Sequence, residues 1–231
     1  MRVLITGGAS GLGAAVVEAV AKHGGRPLVI DRSPVPPSAA AEAPDVEHVQ
    51  ADVADRLAVE RAVGDLARAA GGLDAVVTAA GVDACGELGD VPAAEWERVV
   101  QVNLLGTAAV VRAALPYLLE SRGRVVTIAS TLGLRAVSDA TAYCASKFGV
   151  VGFTRALAAE TAGRLGVTLV VPGGMRTAFF DNRQERYKPP PGMRLSDPRE
   201  VAEAIMFALT RPPGCEVREL VVCPDRETSW P

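Results

Sequence analysis

The sequence predicts a single α/β domain, residues 1–231, in which a parallel sheet of about seven strands is covered by helices on both faces. Two observations support this prediction. Short apolar runs alternate with longer stretches of helical spacing, and strands joined through helices lie parallel in one sheet. The chain has 231 residues, of which 49% are hydrophobic, so it can bury a large core within one domain.

The strands and helices follow from apolar spacing and from turn residues. The predicted strands are 3–5, 27–31, 46–49, 73–77, 124–129, 167–171 and 217–222. The predicted helices follow the glycine turn at 7–13, cover 59–66, 94–121 and 142–162, and begin again at Pro198 with Asp197 as the cap. Prolines at 34, 36 and 37 predict a loop over 32–44.

A glycine-rich turn, Gly7-Gly8-Ala9-Ser10-Gly11-Leu12-Gly13, connects the first strand to the first helix. Glycines permit tight turns and a close approach of a pyrophosphate to the backbone. The free N–H groups at the helix N-terminus and the helix dipole attract an anion. Glycines also serve ordinary turns, but this strand–turn–helix context is the one that dinucleotide binding requires.

The second strand ends at Asp31, about twenty residues beyond the glycine turn, where a dinucleotide fold places its ribose-binding acid. An acid that merely begins a turn is the alternative. The next residue, Arg32, could pair with a phosphate. Because neighbouring strand residues point to opposite faces, we expect Asp31 and Arg32 not to share one ligand site.

Two residues with acid/base potential lie four positions apart, Tyr143 and Lys147. On a helix their side chains leave the same face, and a nearby ammonium favours the ionised form of a phenol, so the pattern predicts a lowered tyrosine pKa. The spacing alone is common by chance, with a core aromatic and a solvated lysine as the alternative. Ser130, at the end of the fifth predicted strand where open parallel sheets bind ligands, strengthens the functional interpretation.

Two further features are consistent with a ligand site. Asn103 lies inside a predicted helix, so its amide is either functional or faces solvent. The small residues Ala79, Ala80 and Gly81 follow the fourth strand, where they either admit a bulky ligand or simply fill the core.

Composition excludes several function classes. A net charge of −3 gives no basic surface for nucleic acid or anionic membrane, so we expect a small-molecule partner. Four separated cysteines and two histidines indicate neither a disulfide framework nor a metal cluster. The N-terminus enters a strand directly, without the apolar stretch of a signal peptide, and we expect a cytoplasmic protein.

Taken together, the motifs resemble those of the short-chain dehydrogenase/reductase family in its compact single-domain form. The matching motifs, in order, are Thr6-Gly7-x-x-x-Gly11-x-Gly13, Asp52-Val53, Asn103, Ser130, Tyr143-x-x-x-Lys147 and Pro172-Gly173-x-x-x-Thr177. Each motif is weak alone, but six in register cover nearly the whole chain.

The resemblance implies a Rossmann-type doubly wound fold and an NAD- or NADP-dependent oxidoreductase acting on a secondary alcohol or ketone. Tyr143 would be the general acid/base, Lys147 would hold the nicotinamide ribose and lower the tyrosine pKa, and Ser130 would bind the substrate oxygen. Asn103 would steady a water-linked proton path. The implied cofactor-binding residues are Gly7, Ser10, Gly11, Leu12, Gly13, Asp31, Arg32, Asp52, Val53, Ala79, Ala80, Gly81, Tyr143, Lys147, Pro172, Gly173, Met175 and Thr177.

The chain departs from the family pattern where Thr78-Ala79-Ala80-Gly81 replaces Asn-Asn-Ala-Gly, so hydrogen bonds of two amides are lost. Asp31 favours NAD, because a carboxylate there would repel the 2′-phosphate of NADP. An NADPH-dependent carbonyl reductase is the cofactor alternative, and a non-catalytic dinucleotide-binding protein is the functional one.

Two hypotheses concern the molecular surface. The helices at 96–118 and 142–162 are apolar on more than one stripe, and family members often pair through them, so we expect a homodimer or homotetramer. The composition of residues 175–195, here called the cover segment, predicts that they form a substrate lid with aromatic walls. Its arginines (Arg176, Arg183, Arg186 and Arg194) suit an anionic substrate or are simply solvated.

Overall fold

The structure is a computed structural model that describes residues 1–34 and 46–230. Most of the predicted loop at 32–44 therefore lies outside the described residues. The strands are β1 Arg2–Thr6, β2 Arg26–Asp31, β3 Glu47–Gln50, β4 Ala75–Thr78, β5 Arg124–Ile128, β6 Gly166–Pro172 and β7 Glu219–Val222. The main helices are α1 Gly11–Lys22, α2 Arg56–Ala70, α3 Ala93–Val100, α4 Thr107–Ser121, α5 Thr141–Glu160 and α6 Pro198–Leu209.

The seven strands form one sheet in the order β3-β2-β1-β4-β5-β6-β7. All six neighbouring pairs are parallel, which confirms the predicted fold class. Strand order reverses between β1 and β4, so their carboxyl ends open a crevice of the kind in which doubly wound proteins bind ligands.

Helices cover both faces of the sheet. Helices α1 and α6 pack together on one face, while α2, α4 and α5 cover the other. The strand residues between them are fully buried, including Leu4, Ile5, Leu28, Ile30 and Leu169. Burial on both faces explains why these strands read as continuous apolar runs rather than as alternating patterns.

The long helix predicted at 94–121 is interrupted by a π-helical segment, Gln101–Gly106, between α3 and α4. A side chain at Gly106 would come within 3.0 Å of the Val53 carbonyl oxygen, so glycine lets this segment approach the neighbouring chain. The wider turn carries Asn103, which is 1% exposed. Such π-helical insertions often mark functional positions in helices.

The stretch 93–121 is long and apolar enough to cross a membrane by length and composition. Its buried residues Val110, Ala114 and Leu118 contribute to the core beneath the sheet, together with residues of α2. We therefore interpret it as a core helix of this domain.

Candidate active site

A cavity of about 1030 Å³ lies at the carboxyl ends of the strands. It brings together almost all the residues that the sequence predicted for a site. Those lining it are Gly7, Ser10, Gly11, Leu12, Asp31, Arg32, Asp52, Val53, Ala79, Ala80, Gly81, Ser130, Tyr143, Lys147, Pro172, Gly173, Met175 and Thr177. Gly13 and Asn103 lie outside the lining and act on the cavity only through their neighbours.

Tyr143 and Lys147 project from the first turns of α5, as their spacing predicts. The Lys147 ammonium lies 5.6 Å from the centroid of the Tyr143 ring and donates a 2.9 Å hydrogen bond to the carbonyl of Ile128 at the end of β5. Lys147 is only 5% exposed. Its position is therefore set by the helix and by the neighbouring strand rather than by solvent.

The predicted lowering of the Tyr143 pKa is wrong for this structure. Burial raises the pKa of Tyr143 above its ordinary value, and the negative charge of Asp83 raises it further, while a hydrogen bond with Ser130 acts in the opposite direction. Burial also lowers the pKa of Lys147 to about 8. The sequence pattern revealed that the two groups are close but not that both lose most of their water.

Ser130 follows β5 and begins a short 3₁₀ turn, Thr131–Gly133. Its hydroxyl accepts a 3.2 Å hydrogen bond from the Leu132 amide, and the side chain is nearly buried. A Cβ at Gly133 would lie 2.8 Å from the Lys147 carbonyl oxygen, so this turn packs directly on α5. The close approach keeps Ser130 next to Tyr143.

Asn103 is buried behind the cavity wall, which excludes its solvent-facing alternative. Its side-chain oxygen accepts a 2.8 Å hydrogen bond from the Val82 amide, and its nitrogen donates to the Val82 carbonyl at 2.9 Å. The same nitrogen donates to the Ser146 hydroxyl at 3.0 Å. Asn103 therefore ties the chain after β4 to helix α5.

The glycine turn has the backbone geometry that its sequence predicts. Gly7 and Gly11 have positive φ angles of 73° and 56°. A Cβ at Gly7 would lie 2.8 Å from Ala80, and one at Gly13 only 2.0 Å from the Gly7 carbonyl oxygen. The absence of a side chain at Gly13 thus allows α1 to pack closely against the turn. The residues that precede the helix line the cavity.

These features fit an extended, anionic dinucleotide. The cavity is at least as large as an ordinary small-molecule pocket and runs from the glycine turn to Tyr143. The N-terminus of α1, capped in extended conformation by Ser10, opens into it without an acidic side chain in its first turn. A pyrophosphate would meet free N–H groups there.

Asp31 and Arg32 line the same cavity, so the expectation that they would not share a ligand site is wrong. Strand β2 ends at Asp31, and the alternation of faces does not extend to Arg32 beyond it. The Asp31 carboxylate accepts hydrogen bonds from the amides of Ala9 and Ser33, at 3.0 and 2.8 Å. The acid is thus held beside the glycine turn.

At the same end of the cavity lies Asp52. Although partial burial opposes the effect, the hydrogen bond from Arg98 and one from the Ala54 amide hold the Asp52 pKa below its ordinary value. Asp52 is therefore paired with a charged side chain, whereas the protein groups that bond to Asp31 are backbone amides.

The departure at Thr78-Ala79-Ala80-Gly81 has a visible consequence. The Ala80 amide donates a 3.2 Å hydrogen bond to the Thr6 hydroxyl. In the described part of the chain, the buried Thr78 hydroxyl has no hydrogen-bond partner. The backbone after β4 is instead held by Asn103.

Sequence reasoning named Arg183 among the arginines of the cover segment but missed its partner, Asp83. Asp83 forms an ion pair with Arg183, and their side chains are 6% and 19% exposed. No periodicity or motif links two residues 100 positions apart. A second missed residue, Glu227, reaches the same cavity and accepts a hydrogen bond from the Gly174 amide at 3.1 Å.

The arginines of the cover segment do not form the anion site considered from the sequence. Arg176 pairs with Asp197 and Arg194 with Asp225, at 3.3 and 2.7 Å. The Arg186 guanidinium stacks on Tyr187. Arg183 is neutralised by Asp83, and Lys188 pairs with Glu185. The segment lines the cavity with the rings of Phe179, Phe180 and Tyr187 and with the amides of Asn182 and Gln184.

The fold and this cavity define a Rossmann-type α/β protein. Residues 1–188 match the family model of the short chain dehydrogenases. The chain therefore belongs to the short-chain dehydrogenase/reductase family of oxidoreductases, as the motifs predicted.

Similar proteins agree with this assignment. An uncharacterized oxidoreductase of Staphylococcus aureus strain MW2 is 32% identical over 226 residues, covering 96% of both chains. The glycine betaine reductase ATRR of Emericella nidulans is 32% identical over 236 residues, but the match spans only 19% of that protein.

Two solved structures share the fold. An alcohol dehydrogenase from the archaeon Thermococcus sibiricus, complexed with 5-hydroxy-NADP, superposes with a TM-score of 0.87 at 24% identity, covering 96% of this chain and 95% of that one. The ligand-free aldohexose dehydrogenase of Thermoplasma acidophilum gives a TM-score of 0.85 at 25% identity, covering 96% and 92%.

Proposed function

We propose that this protein is an NAD-dependent oxidoreductase that transfers a hydride between the cofactor and a secondary alcohol or ketone. One observation carries the proposal: Ser130, Tyr143 and Lys147 meet in the same cavity as the glycine turn and Asp31. A non-catalytic binding protein would have little use for a half-buried phenol beside a buried ammonium.

In the direction of alcohol oxidation, Tyr143 accepts the hydroxyl proton of the substrate and Ser130 donates a hydrogen bond to the same oxygen. The carbinol C–H bond breaks, its hydrogen leaves as hydride with both bonding electrons, and the carbonyl forms. A bound NAD would supply the hydride acceptor. In reduction, Tyr143 returns the proton to the substrate oxygen.

The remaining site residues would hold the cofactor. The glycine turn and the N-terminus of α1 suit the pyrophosphate, Asp31 the adenosine ribose, and Asp52 and Val53 the adenine. Lys147 would hold the nicotinamide ribose, with Pro172, Gly173, Met175 and Thr177 beside the nicotinamide. Asn103 acts indirectly by fixing Val82 and Ser146.

NADP is the alternative cofactor, and Arg32 is the observation that favours it. Arg32 lines the cavity next to Asp31 and could pair with a 2′-phosphate. The Thermococcus sibiricus enzyme was solved with an NADP analogue. We retain NAD because the Asp31 carboxylate would have to lie near that phosphate, and two like charges at hydrogen-bonding distance repel.

The rings of Phe179, Phe180 and Tyr187 line the substrate side of the cavity, where the charges of Arg183 and Lys188 are paired, and we infer a small, largely apolar substrate. We also propose a cytoplasmic homodimer or homotetramer that acts without nucleic acid or membrane.

The proposed activity is tested by following NADH and NADPH fluorescence while a panel of secondary alcohols and ketones is offered. Absence of turnover across the panel, together with tight cofactor binding, would favour the non-catalytic alternative.

A further inference from the structure

The cover segment is held at its base and at its tip, and the Arg194–Asp225 ion pair adds a contact near the base. At its base, the Arg176 amide donates to the Ser196 carbonyl and the Ser196 amide donates to the Gly174 carbonyl, both at 2.9 Å. At its tip, Arg183 forms the ion pair with Asp83. These two backbone hydrogen bonds join the ends of the segment. They do not fix its tip, whose position therefore depends on other contacts.

Arg183 organises the tip itself. Its guanidinium lies 5.3 Å from the Phe179 ring centroid and 4.6 Å from that of Phe180. One of its terminal nitrogens donates to the Tyr187 carbonyl at 3.2 Å. Arg183 thus joins the two short turns of the segment, Ala178–Phe180 and Glu185–Tyr187.

Phe179 in turn contacts the proposed acid/base residue. The rings of Phe179 and Tyr143 are tilted by 58° with centroids 5.8 Å apart, a geometry typical of favourable aromatic pairs. The Phe179 amide donates to the Thr177 hydroxyl, which lies on the cofactor side of the cavity. The placement of Phe179 therefore affects the wall of the substrate site directly above Tyr143.

Asp83 is a rigid anchor for this arrangement. Its carboxylate accepts hydrogen bonds from the Ala84 amide at 2.7 Å and from the Cys85 thiol at 3.2 Å. Burial raises the pKa of Cys85 to about 12, so that thiol keeps its proton and remains a donor. The preceding residue, Val82, is held on both backbone groups by Asn103.

These contacts connect helix α5 to the cover segment by two routes. Ser146 of α5 bonds to Asn103, which holds the chain after β4, and Asp83 of that chain pairs with Arg183 of the cover segment. Tyr143 of α5 also contacts the cover segment directly, through Phe179. We propose that Asp83 and Arg183 are positioning residues, whose ion pair latches the cover segment over Tyr143 and builds an apolar wall for an uncharged substrate.

The charge balance supports the uncharged substrate. A free Arg183 would attract a carboxylate, but the nearly buried Asp83 neutralises it, and an anionic substrate would have to compete with that carboxylate. A substrate with a neutral, apolar group next to the reacting carbon can instead lie against Phe179 without breaking the latch.

The latch can be measured without turnover by amide hydrogen exchange. In Asp83→Asn and in Arg183→Met, exchange at the amides of 178–188 should accelerate about tenfold or more, since local opening follows the lost interaction. The double variant should accelerate exchange no further than the single ones. Exchange in strand β5 should be unchanged, which shows that the fold is intact.

Arg186→Met is the matched control, since it removes an arginine of the same segment that stacks on its neighbour Tyr187 and forms no ion pair with any of the described residues. It should leave exchange at 178–188 unchanged. If Asp83→Asn or Arg183→Met does not fold, Arg183→Lys serves instead, because a shorter ammonium keeps the charge but loses the planar contacts. Unchanged exchange in the folded latch variants, or equal acceleration in Arg186→Met, would overturn the proposal.

The kinetic arm rests on the proposed function and uses 1-phenylethanol and its carboxylated analogue mandelate with NAD. The wild type should prefer 1-phenylethanol to mandelate. In Arg183→Met, the KM for 1-phenylethanol should be about tenfold higher than in the wild type, with cofactor affinity unchanged. Equal or better use of mandelate by the wild type would refute the uncharged substrate. If neither compound nor the wider panel reacts, the proposed function fails, whereas the exchange result still decides the latch.

Discussion

At the scale of single residues, the acid/base pair is defined by burial as much as by proximity. The Tyr143 pKa is raised by burial and by Asp83, whereas burial lowers the Lys147 pKa to about 8. Both shifts favour the neutral forms of the two groups. In the proposed reaction, alcohol oxidation needs the phenolate, so we expect the free protein to be better prepared to give a proton to a carbonyl than to take one from an alcohol.

This asymmetry predicts the pH dependence of each direction. Because the Tyr143 pKa lies above the neutral range, the phenolate fraction rises about tenfold per pH unit, so kcat/KM for alcohol oxidation should rise with a slope near one from about pH 6 to about pH 8. Carbonyl reduction uses the protonated phenol and should stay level over the same window. Steady-state rates in both directions test this, and an oxidation rate that is level or falls would contradict it.

We expect Asp31 and Arg32 to decide the cofactor preference. In Asp31→Ala, the ribose contact and the repulsion of a 2′-phosphate disappear together while Arg32 remains, so the ratio of the NADP to the NAD dissociation constant should fall about tenfold or more. Fluorescence titration of the wild type and the variant with both reduced cofactors measures this ratio. Tighter binding of NADPH than of NADH by the wild type would overturn the assignment to NAD.

At the scale of elements, glycines allow strand, turn and helix to meet at the cofactor end of the cavity. Gly13→Ala would place a methyl group 2.0 Å from the Gly7 carbonyl oxygen. Because the clashing atom belongs to the backbone and cannot rotate away as a side chain can, we expect this change to lower the free energy of unfolding by about 2 kcal/mol or more.

The control for Gly13→Ala is Gly89→Ala, where a Cβ would meet no atom within 4 Å. That change should alter the free energy of unfolding by no more than about 0.5 kcal/mol. Thermal or urea unfolding of the two variants compares them directly. Equal stabilities would mean that close contact at Gly13 is not required.

The elements also show how far sequence reasoning reached. All seven strands and their parallel orientation follow from apolar runs alternating with helical patterns, and burial on both faces makes the signal clearest for the central strands. The π-helical turn at Gln101–Gly106 was missed, since nothing in the spacing of apolar residues distinguishes it from a continuing helix. Asn103 gave the only hint, as an amide that needed a buried partner.

In the site, local motifs were predictable and long-range pairs were not. The residues from the glycine turn to Thr177 carry recognisable spacing, and the structure gathers nearly all of them in one cavity. The Asp83–Arg183 pair lies between loops whose meeting depends on the whole fold. The pKa of Tyr143 was misjudged because spacing reports a neighbouring charge but not the loss of water.

At the scale of the whole molecule, apolar side chains remain exposed on helices beside the sheet. Leu105 is 57% exposed and Phe148 is 45% exposed, and α5 packs against the segment that carries Leu105. Exposed apolar residues on adjacent helices are typical of a subunit interface. They support the proposal of a homodimer or homotetramer.

Light scattering should therefore give a multiple of the 23.9 kDa chain mass at micromolar concentration. Phe148→Glu should shift the protein toward monomer, since a charge would be buried in the interface. Leu57→Glu is the control, because Leu57 is 53% exposed on α2, away from α5. A wild type of about 24 kDa would remove the proposal of an oligomer.

The central claim, that Tyr143 carries the proton in hydride transfer, is tested most directly by Tyr143→Phe. This variant keeps the ring beside Phe179 but loses the phenolic proton, so turnover of the best substrate should fall by about 10²- to 10⁴-fold. Cofactor affinity, measured by NADH fluorescence, should change by no more than about twofold. Full turnover by Tyr143→Phe with any substrate that the wild type accepts would contradict the account.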